Sequence, residues 1–204
     1  GRQDTQRRVT RQTVIFKDLH PSPETKMKVA IISGTPRSNG YTSELIKNLS
    51  AGLKNAGCEV KTVTLFDKVI SGCNNCGVCQ KKGNEGKCTI ADDMRPIFTV
   101  VDDSELLIIA SPIYMWQFTA CTKAFLERLH CMYDSLDGKR IALAMTMGDD
   151  EYVASYAVSG MLDMCEYYHM TYLSSFAVPY ADKDEVNRPL YAEKLKDFVN
   201  RITG

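Results

Sequence analysis

The stretch Met27–Leu49, MKVAIISGTPRSNGYTSELIKNL, decides the fold class of this chain. It opens with the apolar run Val29–Ser33, which is typical of a strand buried on both faces. A loop with two glycines follows, and from Ser43 the apolar residues recur with helical spacing. This order of strand, tight loop and helix predicts a βαβ unit, and therefore a parallel sheet.

The same alternation continues along the chain. Further runs of strand character are Val60–Leu65, Leu106–Ala110, Ile141–Thr146 and Tyr172–Val178. Segments with helical spacing are Ser43–Ala56, Asp92–Val101, Thr119–Cys131, Tyr152–Tyr168 and Leu190–Ile202. Five such pairs predict an α/β fold with a doubly wound, five-stranded parallel sheet in the flavodoxin-like order 2-1-3-4-5. Because ligands bind beyond the carboxyl ends of such strands, the loops after the first, third and fourth strands form the candidate site.

Length and composition fit one globular domain over residues 27–204. The chain of 204 residues is 44% hydrophobic and has a formal net charge of zero, which gives no support to a nucleic-acid partner. The sequence has no apolar run near the roughly 20 residues that cross a bilayer, and its basic N-terminus has no apolar core of a secretory signal. We therefore expect a cytoplasmic protein without a membrane partner.

Residues 1–26 differ from the remainder of the chain. They carry six basic and three acidic side chains, show no periodicity and contain the short apolar cluster Val14–Phe16. We predict that they form an N-terminal extension or arm. One alternative is a disordered tail, which is common at chain termini. An ordered polar arm has no core of its own, so we expect it to pack against a second subunit.

The loop after the first strand has the chemistry of a phosphate site. Gly34 and Gly40 permit close backbone approach, the next helix offers N–H groups, and Arg37 adds a cation. The loop matches neither the P-loop nor the dinucleotide pattern G-x-G-x-x-G. The candidate ligands are Thr35, Arg37, Ser38, Asn39, Gly40, Tyr41 and Thr42. On composition alone, a tight turn with a helix N-cap explains these residues equally well.

The loops after the third and fourth strands add aromatic and small residues. Exposed aromatic rings directly after a strand are costly unless they cover a flat apolar surface. The candidates after the third strand are Ser111, Pro112, Tyr114, Met115, Trp116 and Phe118. For Trp116 and Phe118 the alternative is to pack onto the next helix. Thr146 and Gly148, at the end of the fourth strand, are the remaining candidates.

Three segments resemble the NADPH-dependent FMN reductase family of flavodoxin-like proteins. Gly34–Leu45, GTPRSNGYTSEL, is similar to the FMN-phosphate loop of that family, with Thr35 in place of the usual serine. Ser111–Tyr114, SPIY, is similar to its flavin-contact segment. Lys123–Arg128, KAFLER, resembles the helix that follows, with Glu127 where Asp is commoner.

The resemblance implies FMN as cofactor, NAD(P)H as reductant and a small electron acceptor such as a quinone or a flavin. It also implies a homodimer or homotetramer. Because the cofactor itself performs the hydride transfer, the protein holds and tunes it, and we assign no catalytic acid or base. The histidines accordingly receive no role: His20, His130 and His169.

Four of the eight cysteines lie within sixteen residues: Cys73, Cys76, Cys79 and Cys88. Their two-residue gaps suit convergence on an iron–sulfur cluster, whereas zinc ribbons pair two separated C-x-x-C knuckles. The motif is similar to the compact cysteine motif of iron–sulfur flavoproteins, in which the last gap is usually shorter than eight. Three alternatives stay open: a [4Fe–4S] cluster on these four ligands, no cluster, and a redox-labile thiol set or a disulfide. The other cysteines are predicted to be buried apolar residues: Cys58, Cys121, Cys131 and Cys165.

Two functions are consistent with these motifs. The first is an enzyme that passes electrons from NAD(P)H through FMN to a small acceptor. The second is an iron–sulfur flavoprotein that carries electrons between protein partners, and a filled cysteine site would favour it. A flavin-free binding module is a third class, and the intact phosphate loop argues against it.

Overall fold

The computed structural model describes residues 26–181 and 189–204. Five parallel strands form its sheet: β1 (Lys28–Ser33), β2 (Glu59–Thr64), β3 (Leu106–Tyr114), β5 (Arg140–Thr146) and β6 (Thr171–Val178). A two-residue strand, β4 (Gln117–Phe118), pairs antiparallel with the end of β3. The order across the sheet is β2-β1-β3-β5-β6, which is 2-1-3-4-5 when the parallel strands alone are counted. The predicted flavodoxin-like topology is confirmed.

Helices cover both faces of this sheet. The longer helices are α1 (Tyr41–Asn55), α2 (Met94–Asp103), α3 (Ala120–Arg128), α5 (Ser155–Tyr167) and α6 (Pro189–Thr203). Single turns of 3₁₀ helix lie at Val78–Gln80, Leu129–Met132 and Glu151–Ala154, and a short helix, α4, spans Tyr133–Leu136.

The strands supply side chains to two separate cores, because successive residues of a strand face opposite sides of a sheet. On β1, Ala30 and Ile32 pack into the core that α2, α3 and α5 cover. Val29 and Ile31 pack into the core that α1 and α6 cover. Burial on both faces explains why this run is continuously apolar instead of alternating with polar residues.

The structure departs from the predicted elements in three places. Strand β3 continues past Ala110 to Tyr114 and turns back as β4, so the predicted loop 111–118 is a hairpin. The predicted helix 152–168 begins with a 3₁₀ turn, and the predicted helix 119–131 ends in another. The predicted arm, residues 1–26, lies outside the described residues except for Lys26.

Candidate functional site

Gly34 lies where the loop after β1 touches the segment after β3. Its N–H donates to the Ala110 carbonyl at 2.8 Å, and its carbonyl accepts from the Thr119 hydroxyl at 2.8 Å. A Cβ at this position would overlap the Thr122 hydroxyl and would lie 2.9 Å from that of Thr119. Glycine is therefore required by the close approach of the two segments.

A buried group of hydroxyls supports this contact: Ser111, Thr119 and Thr122. The Thr119 and Thr122 hydroxyl oxygens lie 2.9 Å apart, and the Ser111 hydroxyl donates to the Pro112 carbonyl at 2.8 Å. Ser111 and Pro112, both predicted site residues, thus belong to the buried frame beneath the loops. Sequence reasoning missed Thr122, since one threonine inside a helix carries no signal of its own.

The loop after β1 places three predicted residues at the surface: Arg37, Ser38 and Asn39. Thr35 is buried, and its hydroxyl accepts from the Arg37 N–H at 3.4 Å. The Ser43 hydroxyl donates to the Arg37 carbonyl. Both backbone groups of Arg37 are therefore held, and its side chain extends from a fixed position.

Helix α1 begins at Tyr41 without a side-chain cap. The Glu44 N–H donates to the Gly40 carbonyl at 3.1 Å, and the N–H groups before it have no acceptor within the helix. The Arg37 side chain lies against this end, since a Cβ on Gly40 would be 3.3 Å from the Arg37 Nε. The start of α1 thus gathers several N–H donors and one guanidinium.

The positive charge at this end of α1 has no negative partner among the described residues. A cation beside the positive end of a helix dipole is unfavourable unless an anion joins them. Among residues 26–181 and 189–204, no carboxylate pairs with Arg37, and Glu44 pairs with Lys47 at 3.3 Å. The donors present here fit a phosphate group, which accepts N–H bonds and pairs with a guanidinium.

Thr42 and Thr146, which the sequence predicts in two different loops, meet in the structure. Their hydroxyl oxygens lie 2.6 Å apart, and both residues are buried. The contact ties the first turn of α1 to the carboxyl end of β5. The two hydroxyls therefore support the site from within, and Thr42 offers a ligand its N–H group.

The tip of the β3–β4 hairpin carries Tyr114, Met115 and Trp116, which are 46%, 82% and 45% exposed. Met115 and Trp116 have φ angles of 50° and 63°, in the left-handed region that favours glycine or asparagine. Strain of this kind costs about 1–3 kcal/mol per residue and clusters at functional sites. The hairpin thus holds apolar side chains at the surface at a cost in stability.

Phe118 packs inside the protein, which was the alternative to a ligand contact in the sequence analysis. Its side chain is buried in the core that α2, α3 and α5 cover, and its backbone pairs with Ile113. The prediction that Phe118 contacts a ligand is therefore not supported by its position, whereas Trp116 stays at the surface.

The loop after β5 adds two acidic side chains, Asp149 and Asp150, to this edge of the sheet and leaves open space beside Gly148. Gly148 is exposed, and nothing lies within 4 Å of the place that its Cβ would occupy. The Asp149 carbonyl accepts from the Tyr180 N–H at 3.2 Å, which brings the end of β6 alongside. Desolvation and the Asp149 and Asp150 carboxylates raise the pKa of Tyr180. Sequence reasoning did not select Tyr180, although an aromatic residue after a strand's carboxyl end was the signal used after β3.

The cysteine loop, residues 71–92, surrounds a cavity of about 50 Å³. The four predicted metal ligands all line it: Cys73, Cys76, Cys79 and Cys88. The Thr89 hydroxyl lies 3.5 Å from the Cys76 Sγ, and this hydrogen bond lowers the pKa of Cys76. The structure therefore brings the two ends of the motif to one centre.

The number and type of the donors in this cavity bear on which metal group they could hold. In the described part of the chain, no three His, Cys, Asp or Glu side chains converge closely enough to hold one metal ion. A zinc ion needs its sulfur ligands at about 2.3 Å. Four thiolates are the ligand set of a four-iron cluster, and the four cysteines that line this cavity supply thiols of that number and type.

A buried ion pair closes the base of the cysteine loop. Arg128, with a side chain 1% exposed, donates to Asp92 through Nη1 at 2.6 Å and Nη2 at 3.2 Å. Asp92 also accepts from the Ser71 N–H at 3.0 Å, and Arg128 donates to the Ser71 carbonyl at 3.0 Å. Glu127 accepts from the Cys73 N–H at 3.3 Å. Helix α3 thus holds the loop through two consecutive side chains.

Three of the other cysteines are buried as predicted: Cys58, Cys131 and Cys165. Cys121 is partly buried. Cys131 also lines the cysteine cavity as a fifth thiol. Burial, and then the nearby Cys79 and Cys88, raise the pKa of Cys131 to about 12, so this thiol stays protonated at neutral pH.

Comparison with known proteins gives the family. Residues 27–183 match the model of the NADPH-dependent FMN reductase family. The chain belongs to this family. The match includes the start of α1, the hairpin, the end of β5 and the cysteine loop.

Relatives of this family member include iron–sulfur flavoproteins. One from Archaeoglobus fulgidus is 35% identical over 135 residues, which cover 64% of this chain and 60% of the relative. One from Methanosarcina thermophila is 31% identical over 102 residues, which cover 50% of this chain and 52% of the relative. The matched region thus spans about half to 60% of the length of these relatives.

Solved structures share the fold at low sequence identity. An NADH:FMN oxidoreductase in its apo form gives a TM-score of 0.64 at 18% identity, over 87% of this chain and 88% of that one. An NAD(P)H:quinone oxidoreductase from Methanothermobacter marburgensis gives 0.66 at 13% identity, over 88% and 98%. Within the two described ranges, no helix has both the length and the hydropathy that crossing a bilayer requires.

Proposed function

We propose that this chain is an FMN-dependent oxidoreductase that passes electrons from NAD(P)H to a small acceptor such as a quinone or a flavin. One observation carries the proposal. The uncapped start of α1, with Arg37 against Gly40, brings N–H donors and a guanidinium together at the carboxyl edge of the sheet. The match to the FMN reductase family supports the phosphate of FMN as the anion that binds there.

Each loop has its own part in this proposal, and together they make residues 27–204 an FMN-binding domain. The segment from Thr35 to Thr42 holds the phosphate through N–H groups, Arg37 and the Ser38 hydroxyl. Tyr114, Met115 and Trp116 supply apolar contact to the flavin ring. FMN, when bound, supplies the hydride chemistry, so these residues bind and orient it and keep water from it.

Arg37→Ala is expected to weaken FMN binding by about 1.5–3 kcal/mol, the range for a hydrogen bond to a charged group. Riboflavin has no phosphate, so its affinity is expected to stay the same. Fluorescence titration of both flavins measures the effect, with Arg95→Ala, an exposed arginine on α2, as the matched control. Equal losses for FMN and riboflavin would show that Arg37 is not the phosphate ligand.

The double variant Met115→Asn, Trp116→Gly replaces the strained tip of the hairpin. We expect it to be more stable than the unmodified protein but to bind FMN less tightly. Asparagine and glycine suit the positive φ angles of this turn, so the free energy of unfolding should rise, by about 1–3 kcal/mol for each strained residue that is relieved. FMN affinity should fall, because the apolar contact is lost. Thermal unfolding and flavin titration of the same variant test this pair of effects, and a tighter FMN complex would count against the proposed contact.

A second function is an electron carrier that contains an iron–sulfur cluster as well as FMN. The observation that favours it is the cavity lined by all four predicted ligands, Cys73, Cys76, Cys79 and Cys88. Both relatives described above bear the name iron–sulfur flavoprotein. Anaerobic purification with iron, sulfide and flavin analysis distinguishes a carrier with a filled cysteine site from an enzyme that holds FMN alone.

We also propose a homodimer or homotetramer as the working assembly. Large apolar side chains are exposed at the hairpin tip, in the 3₁₀ turn before α5 and at both ends of α5, among them Met115, Trp116, Tyr152, Tyr156 and Tyr167. Exposed aromatic residues in this number are typical of protein interfaces. The packing of residues 1–26 across that interface stays a prediction.

A further inference from the structure

Arg128 is a buried cation beside the cysteines. Its side chain is 1% exposed, and that of its partner Asp92 is 6% exposed. Arg128 lines the same cavity as Cys88, the ligand that follows the long gap of the motif. A guanidinium at this depth requires an acceptor for each of its buried N–H groups.

The donors of Arg128 are not all used. Nη1 donates to Asp92 and to the Ser71 carbonyl, and Nη2 donates to Asp92. The Nε atom is buried and has no hydrogen-bond partner among the described residues. A buried donor without an acceptor costs free energy, so an acceptor that forms in the working state would complete the site.

Cys88 is the group beside Arg128 that can become this acceptor. Both residues line the cysteine cavity, and the described residues give the Arg128 Nε no other hydrogen-bond acceptor. A thiol sulfur is a weak acceptor, whereas a thiolate accepts a charge-assisted hydrogen bond. A thiolate bound to iron keeps that negative character.

We propose that Arg128 donates its Nε–H to the Cys88 sulfur when the cysteine loop holds an iron–sulfur cluster. This inference rests on the proposed cysteine centre. Arg128 is then a positioning residue. It fixes both ends of the cysteine loop through Asp92 and Ser71, and it also fixes the ligand at the far end of the eight-residue gap.

The hydrogen bond has a consequence for the cluster. Reduction adds negative charge to the cluster and its sulfurs, and a donor to a ligand sulfur stabilises that charge. Arg128 therefore raises the reduction potential of the cluster and slows the loss of iron.

The test compares Arg128→Lys with the same change at an exposed site, Arg95→Lys on α2. Lysine keeps a cation that can pair with Asp92 but has no Nε–H in that position. Each protein is reconstituted anaerobically with ferrous iron and sulfide. The cluster's midpoint potential and the rate of iron loss to a chelator are then measured. Arg128→Lys is expected to lower the potential and to lose iron about tenfold faster, while Arg95→Lys matches the unmodified protein.

The possible outcomes distinguish a failure of the proposed cysteine centre from a failure of the proposed role of Arg128. If the unmodified protein takes up no iron and sulfide, the cysteine centre fails and this inference fails with it. If the unmodified protein holds a cluster and Arg128→Lys changes neither quantity, the role of Arg128 alone is overturned. FMN content is measured in all three proteins. If the proposed FMN site is correct, FMN content is the same in all three, whether or not the cysteines hold a cluster.

A second measurement covers the case in which Arg128→Lys does not fold. In the unmodified protein labelled with nitrogen-15, the Arg128 Nε–H signal should be shifted by the cluster and protected from exchange. In the iron-free protein the signal should lie at an unshifted position and exchange faster. An Nε–H signal that is the same in both states would contradict the proposal.

Discussion

Asp92→Asn is expected to lower the free energy of unfolding by about 3–5 kcal/mol, the cost of removing one partner from a buried ion pair. The change leaves the Arg128 guanidinium buried without its counter-charge, and it weakens the bonds that hold Ser71. Chemical denaturation of the iron-free protein measures the effect. The matched control is Asp67→Asn, because Asp67 pairs with Lys68 at the surface and should contribute no more than about 1 kcal/mol.

The same pair gives a pH dependence. Burial alone would raise the pKa of Asp92, but the bonds from Arg128, Ser71 and Met94 outweigh it and hold that pKa below its ordinary value. The stabilisation is therefore full above the unfolded-state pKa of about 3.9, and it is lost as the pH falls through the lower folded-state pKa. The stability difference between the unmodified protein and Asp92→Asn should narrow below about pH 4. A difference that is constant down to pH 2 would contradict the ion pair.

Gly34→Ala is expected to cost about 3 kcal/mol of unfolding free energy and to reduce FMN binding. The new Cβ would overlap the Thr122 hydroxyl, and a buried hydroxyl group cannot move without breaking its own hydrogen bonds. Because Gly34 joins the loop after β1 to the segment after β3, both sides of the proposed site should shift. Thermal unfolding and FMN titration of the variant measure the two effects.

Two further variants make this prediction specific. Gly148→Ala adds the same methyl group where the structure has open space, so its stability should match the unmodified protein within about 0.5 kcal/mol. Thr122→Ala in the Gly34→Ala background removes the overlapping hydroxyl and should recover part of the loss. If Gly34→Ala is as stable as Gly148→Ala, the close approach of the loop after β1 to the segment after β3 is contradicted.

The topology could be predicted because its signal is local. The run Val29–Ser33 shows burial on both faces in its composition, and the glycine loop that follows shows where the strand becomes a helix. The proposed phosphate contact of Arg37 is a prediction from the same few residues. Five local units in series then leave few topologies to consider.

The contacts that join these units are not local, and the sequence did not reveal them. Thr42 and Thr146 are 104 positions apart, and Asp92 and Arg128 are 36 positions apart. Charged residues are usually exposed, so neither partner of the buried pair carried a signal. The hairpin was missed for a different reason, since Met115 and Trp116 are not residues that favour a turn with positive φ.

The central claim is that the start of α1 holds the phosphate of FMN. Its most direct test is an anaerobic titration of the unmodified chain with FMN and with riboflavin, followed by addition of NAD(P)H. We expect about one FMN per chain, an affinity for riboflavin weaker by about 1.5 kcal/mol or more, and reduction of the bound FMN. A chain that binds FMN and riboflavin equally well, or binds neither, would contradict it.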